Sequence, residues 1–260
     1  QHFANLEALR ASPTLLRTCL SGIGLPCSGK GKQAKPLQEL GFFHDSMGDH
    51  CRAEIQKGNK TYAATEHGKM VPDPPILEYI QRQLAMAAIH GRSLYYADGW
   101  NRNINQLMFA LQEMLKQGYF PIFLLFTTPP EECIRRAEPA AKERTHRKDN
   151  HVVIDRIIEW APENELVFQQ VRKLHRLKQV ELIEVDNTGL EVEETTLRIF
   201  TQLDQIVGRQ LTLPQAANQL PGHKQTALQP ATFETFAEPS RAAGINPRRF
   251  SLPLLGHALA

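Results

Sequence analysis

Apolar positions along the chain fall into short, nearly continuous runs set among longer, more polar stretches. The runs occupy residues 15–23, 93–97, 121–127 and 180–185, and the third, PIFLLFT, is too apolar to keep one face in water. Between them lie helical stretches at residues 29–40, closed by Gly41, at about 49–57, at 75–89 with an amphipathic pattern, and at about 103–116. A long polar helix over 151–175 and a last one over 191–203 complete the alternation. Buried runs separated by helices predict a parallel sheet covered on both faces, an α/β fold. From residue 211 the pattern stops: the last 50 residues hold six prolines and only two acids, Glu234 and Glu238. They read as an irregular extension outside the domain, with short helices at 231–237 and an apolar patch at FSLPLLG.

Composition changes this picture only at its edges. With 260 residues, 42% of them hydrophobic and 22% charged, the chain suits one large domain plus a tail. A formal charge of +2 supplies no broad basic field, so no nucleic-acid partner is expected. Cys19, Cys27, Cys51 and Cys133 form no C-x-x-C pair and share no zinc-ligand spacing with histidines, which points to a reduced, cytoplasmic protein. No run approaches the roughly eighteen apolar residues of a membrane span. The start, QHFANLEALRASPTLLRTCL, lacks the basic-then-apolar order of a leader, and Gln1 in place of methionine reads as a trimmed start.

Candidate chemistry begins at residues 22–33, GIGLPCSGKGKQ, which contain G-x-x-x-x-G-K directly after an apolar strand and at a helix start. Glycines let backbone N–H groups turn around a phosphate, the helix N-terminus adds positive potential, and the lysine reaches the outer phosphates. An ordinary glycine turn is the competing explanation. Farther on stand HDSMGDHCR at 44–52, GKMVPD at 68–73 and DGWNRNINQ at 98–106. Asp98 ends a strand at the edge where open α/β sheets bind ligands, and an acid there suits a water-held Mg²⁺, with a helix-capping role as the alternative. Arg52 alone would read as a surface arginine.

Together these segments resemble the adenylate kinase family of nucleoside monophosphate kinases, whose signatures are GxPGSGKGTQ, H-x-S-[TM]-G-D-x-x-R, G-x-x-V-P-D and D-G-F-P-R-x-x-x-Q. The likeness continues through ERTHRKDNHVVIDRIIEW and covers roughly residues 15–206. It implies a three-layer α/β/α P-loop kinase with a five-stranded parallel sheet. It also implies a domain over 1–210, an acceptor-binding part near 44–73 and a short lid near 135–150. ATP would lie on Gly24, Pro26, Cys27, Ser28, Gly29, Lys30, Gly31 and Lys32, with Arg136 or its neighbour Arg135 on its adenine. AMP would meet Ser46, Met47, Arg52, Met70, Val71, Gly99, Arg102 and Gln106, the glutamine reading the base. Lys30, Arg102, Arg144, Arg147 and Arg156 would neutralise the transferring group, Asp98 would orient hydrated Mg²⁺, and Asp149 would brace the lid arginines. The resemblance implies a monomer that uses ATP and AMP as substrates, with neither nucleic acid nor membrane as partner.

Several positions depart from the pattern. Cys27 replaces a loop glycine, at a cost of about 1 to 3 kcal/mol if a positive φ is required there. Lys32 replaces a threonine, and Pro36 falls inside the next helix if that helix starts at Gly29, where proline costs ~3 kcal/mol. Trp100 and Asn101 replace Phe-Pro and remove a rigid turn, Asn150 replaces one acid of the lid pair, and a one-residue offset leaves Arg156 and Ile157 competing for the lid-helix arginine position. Two other functions stay open: a kinase for UMP, CMP or GMP, and a nucleotide-binding protein impaired in catalysis.

Overall fold

A computed structural model describes residues 3–12, 16–143 and 152–212. Five strands, β1 (Thr18–Ile23), β2 (Phe43–Ser46), β3 (Leu94–Asp98), β4 (Phe120–Phe126) and β5 (Glu181–Val185), pair in parallel in the order β2-β3-β1-β4-β5. Around them lie α1 (Ala4–Ala11), α2 (Ala34–Glu39), α3 (Met47–Gln56), α4 (Asp73–Ile89), α5 (Ile104–Lys116), α6 (Pro130–Glu143), α7 (Val153–Arg176) and α8 (Val192–Thr212). This is the expected three-layer P-loop kinase architecture.

The central strands β1, β3 and β4 are buried almost end to end because both their faces are covered. On β4, Ile122, Leu124 and Phe126 enter one cluster with Ile199, Leu203 and Ile206 of α8, Leu6 and Leu9 of α1, and Leu37 of α2. Phe123 and Leu125 point the other way, into a cluster with Leu107 and Leu111 of α5 and Val167, Phe168 and Val171 of α7. Side chains alternating across one strand thus build both layers.

Two elements differ from the sequence expectation in ways that bear on the site. The helix expected over 29–40 is a 3₁₀ turn at Lys30–Gln33 followed by α2, so Pro36 sits in the first turn of α2, where no helical N–H bond is lost. The expected interior-proline penalty does not apply. The edge strand β2 and the helices α1 and α6 lie outside the elements read from the apolar pattern; residues 135–143 of the expected lid are the second half of α6. The N-terminus of α1 has no side-chain cap of its own and is closed by Asp204 of α8, whose Oδ1 accepts the backbone N–H groups of Asn5 and Leu6, both at 3.0 Å.

The onward connections of neighbouring strands β1 and β3 leave in opposite directions, one to β2 and the other to β4. A crevice opens beyond the carboxyl ends of strands at such a switch. Ile23 ends β1 and Asp98 ends β3 at that edge.

Candidate active site

The loop after β1 is shaped by its backbone. Cys27 and Gly29 take left-handed angles, φ 62° and 101°, and the chain then enters the 3₁₀ turn. Glycine is required at Gly29 because a side-chain carbon there would stand 2.5 Å from Asn187 Nδ2, and at Gly24 because one would stand 2.8 Å from Ser28 Oγ. Cys27 has no such freedom, so the strained angle that the sequence comparison anticipated is real. Its side chain packs against a buried cluster of Leu25, Cys133, Ala137, Ile157 and Trp160. Burial pushes the Cys133 thiol up to about 11, which leaves it protonated near neutrality.

Lys30 folds back over this loop. Its Nζ donates to the carbonyls of Gly24 (2.6 Å) and Leu25 (2.8 Å) and to Ser28 Oγ (3.2 Å), while the Tyr96 hydroxyl donates to its own carbonyl (3.0 Å). Burial lowers its pKa, and the carboxylate of Asp98 opposes that shift. A side-chain carbon at Gly31 would sit 3.6 Å from Asp98 Oδ2, so this acid faces the loop. His44 Nε2 approaches the same oxygen at 3.6 Å. Among the described residues no group of three or more His, Cys, Asp or Glu side chains is arranged to hold a metal directly. A single acid beside a phosphate loop fits a hydrated Mg²⁺, which retains most of its water.

Two residues at the donor end had no assigned role in the sequence reading. Asn187, just after β5, donates Nδ2–H to the Ser28 carbonyl (2.9 Å), and its Oδ1 accepts from the Thr128 hydroxyl (2.7 Å) and Arg136 Nη1 (3.0 Å). Thr128 follows β4 and also donates to the Ser28 carbonyl at 3.3 Å. The available signal was their position: polar residues immediately beyond the carboxyl ends of buried parallel strands. Arg136 is thereby tied to the loop, whereas Arg135 on the same helix is 71% exposed. Hydrogen bonds from Arg135 first, and then Arg136, outweigh desolvation and hold Glu132 down at about 2.

The opposite end is built from side chains. Ser46 ends β2 and caps α3, accepting the Asp49 N–H at 3.3 Å; one turn on, Arg52 pairs with Asp49. Met47 is wholly buried in the core, and Val71 lies there too, while Met70 and Gly99 reach the cleft. Trp100 fills the core, and Asn101 donates to Ser21 Oγ at 2.8 Å, so a side-chain anchor to β1 holds the turn that Phe-Pro would have stiffened. Arg102 donates Nε–H to the Gly99 carbonyl (3.2 Å) and lies 4.8 Å from the Trp160 ring centre; Arg156, bonded to the Thr65 carbonyl, stands 5.8 Å from the same ring. Burial lowers the pKa of Arg102. Arg156 therefore faces the cleft, and Ile157 is in the core.

Gln106 is not on the wall. It is 1% exposed, its Oε1 accepts the Arg102 N–H (3.0 Å), and its Nε2 donates to Asp73 (2.9 Å). Arg144, Arg147 and Asp149 lie outside the described residues. The remaining cations converge on one cleft of about 950 Å³: Lys30 and Lys32 with Arg135 and Arg136 toward one end, and Arg52, Arg102 and Arg156 toward the other. Among the described lining residues only Asp98, Glu132 and Glu191 stand against them, so the cleft suits polyanions.

A family model described as an AAA domain matches residues 23–155. Adenylate kinase 1 of Synechocystis is 30% identical over 178 residues, covering 65% of this chain and 92% of that protein. The chain belongs to the adenylate kinase family. The adenylate kinase of Thermus thermophilus is 33% identical over 144 residues, 53% of this chain and 73% of its own. A rice protein named probable adenylate kinase 2, chloroplastic, is 26% identical over 218 residues, 75% of this chain and 72% of its own. As a member of this family the chain is a nucleoside monophosphate kinase. No described helix of the kinase is long and apolar enough to cross a membrane.

Proposed function

We propose that the chain transfers the γ-phosphoryl group of ATP to AMP, reversibly and with Mg²⁺, giving two ADP. The observation that carries this reading is one continuous cleft with the Lys30 loop at one end and Arg52, Arg102 and Arg156 at the other. Phosphoryl transfer is mostly positioning and charge neutralisation, and an arginine fork suits phosphate oxygens. On ATP binding Lys30 would exchange the carbonyls of Gly24 and Leu25 for phosphate oxygens, with Ser28, Gly29, Gly31 and Lys32 around them and Arg136 beside the base. The AMP phosphate would lie between Arg52, Arg102 and Arg156. An oxygen of that phosphate forms the new P–O bond as the bond to the ADP leaving group breaks; the oxygen is already anionic, so no general base is required. Bound Mg²⁺ would neutralise phosphate charge, with Asp98 orienting its waters. Arg144, Arg147 and Asp149 complete the proposal as lid residues that exclude water.

A monomer is the proposed working unit, as the family resemblance implies; four cysteines outside any disulfide suit a reducing compartment such as the cytoplasm. One observation favours a second reading: Gln106, the expected adenine reader, is buried with both ends of its amide engaged, which leaves room for another acceptor base. A coupled assay over AMP, GMP, CMP and UMP, with and without Mg²⁺, tests both. ADP formation with AMP that requires Mg²⁺ is expected. Faster turnover with a pyrimidine monophosphate or GMP selects the second reading, and nucleotide binding without turnover, persisting in Cys27→Gly/Lys32→Thr, rejects both.

A further inference from the structure

We infer that Trp160 is a positioning residue: its indole face holds the guanidiniums of Arg102 and Arg156 side by side in the cleft, an inference that rests on the acceptor site proposed above. Arg102 precedes α5 and Arg156 stands one turn before Trp160 on α7, so the fold brings together two like charges from separate elements. Their Cζ atoms lie 4.8 and 5.8 Å from the centre of the Trp160 ring, both within the distance at which an aromatic face attracts a cation. Trp160 is itself 8% exposed, lines the cleft and packs with Leu25, Cys133, Ala137 and Ile157. Its Nε1 has no hydrogen-bond partner among the described residues, so the indole is held by packing and offers its neighbours its ring.

The arrangement answers a problem of charge. Burial lowers the pKa of Arg102, and the charges of Arg156 and Arg52 push the same way, so these guanidiniums disfavour one another before a phosphate arrives. The bonds that Arg102 and Arg156 donate to the carbonyls of Gly99 and Thr65 fix one edge of each fork but supply only partial negative charge. A carboxylate in the place of Trp160 would neutralise both arginines, yet it would also repel an incoming phosphate. An aromatic face attracts cations through its quadrupole while adding no net charge, so it can stay in contact as the phosphate binds. Both arginines then keep the orientation that bidentate recognition of phosphate oxygens requires.

The test uses the full chain and follows kcat and KM for ATP and for whichever of AMP, GMP, CMP and UMP the wild type turns over fastest. The chain has two tryptophans, and Trp100 is a core residue outside the cleft lining, so Trp100→Phe leaves Trp160 as the single position for fluorinated tryptophan. Ring fluorines drain electron density from the face with little change of shape. With one, two and three of them, KM for the monophosphate is expected to rise about twofold per fluorine while KM for ATP stays unchanged; a merely structural ring would show no such gradient. Trp160→Phe, which keeps a weaker aromatic face, should raise the monophosphate KM about threefold, and Trp160→Leu about tenfold. The fluorinated series keeps the test decisive if Trp160→Leu fails to fold. A monophosphate KM that stays level or falls across the series, or a rise shared equally by ATP, would overturn the inference. A wild-type chain that turns over none of the four monophosphates would overturn the functional reading first and the inference with it, a result seen before any variant is made.

Discussion

The two ends of the cleft are made of different materials. At the donor end the shape is carried by the backbone: left-handed angles at Cys27 and Gly29, close approaches at Gly24 and Gly29, and a lysine bonded to two loop carbonyls. At the acceptor end it is carried by side chains answering other side chains: Arg52 to Asp49, Arg102 and Arg156 to Trp160, Gln106 to Asp73. A backbone-built site is specified locally, by a dozen consecutive residues. The side-chain site depends on partners from α3, α4, α5 and α7, which only the folded sheet brings together.

The largest expected effect is at the backbone-built end. Lys30→Ala should lower kcat by about a thousandfold, comparable to losing a principal transition-state donor, in steady-state assays saturated with AMP. Arg102→Ala should lower kcat/KM for AMP by about a hundredfold while KM for ATP stays near the wild-type value. If both variants raise both KM values alike, the two ends are not separable. A smaller effect is expected of Cys27→Gly, which relieves the left-handed angle by up to about 1 kcal/mol and should raise the melting temperature by about 2 to 4 °C. A lower melting temperature would mean that packing of Cys27 against the Leu25 and Cys133 cluster outweighs the strain.

The smallest effects should distinguish the ends by the sign of their pH dependence. Glu132, paired with Arg135 and Arg136, has its folded-state pKa lowered from 4.5 to about 2. Its contribution to stability is present above 4.5 and is lost as pH falls toward 2; denaturant titrations of Glu132→Gln should show that acid-limb slope flattened. Asp45, beside the acceptor end, accepts hydrogen bonds from Tyr79 (2.6 Å) and Tyr95 (2.8 Å), yet burial raises its pKa above 3.8. Its contribution is present below 3.8 and declines as pH rises through the raised value. The stability difference between wild type and Asp45→Asn should therefore shift against wild type on going up in pH, opposite to the Glu132 case.

The same contrast explains what could be read in the chain. The loop was legible because G-x-x-x-x-G-K after an apolar run carries its chemistry in glycine angles and one lysine, and Asp98 because it ends a buried strand. Three of the runs became the inner strands β1, β3 and β4, whose burial on both faces leaves a continuous signature, and the run at 180–185 became the edge strand β5, whose Glu184 is exposed. Strand β2 escaped because FHDS is a four-residue edge strand with three polar positions: His44 approaches Asp98, Ser46 caps α3, and Asp45 is buried against Tyr79 and Tyr95. Helix α6 escaped because its sequence is rich in charge and carries Pro139 inside. Asn187, Thr128, Trp160 and Asp73 were silent because each acts through residues distant in sequence. The engagement of Gln106 was equally invisible, since a motif gives the residue and not what its amide is already holding.

The cap that Asp204 places on α1 spans 199 positions of sequence. An eight-residue helix is too short to persist alone in water, and this one lacks a local cap. It can become helical only after the sheet has assembled and α8 has docked, so the middle of the chain must be built before its beginning is fastened. Hydrogen exchange should then find the α1 amides opening well before those of β1 and β4, with the first segment of the domain the last to fold and the first to let go.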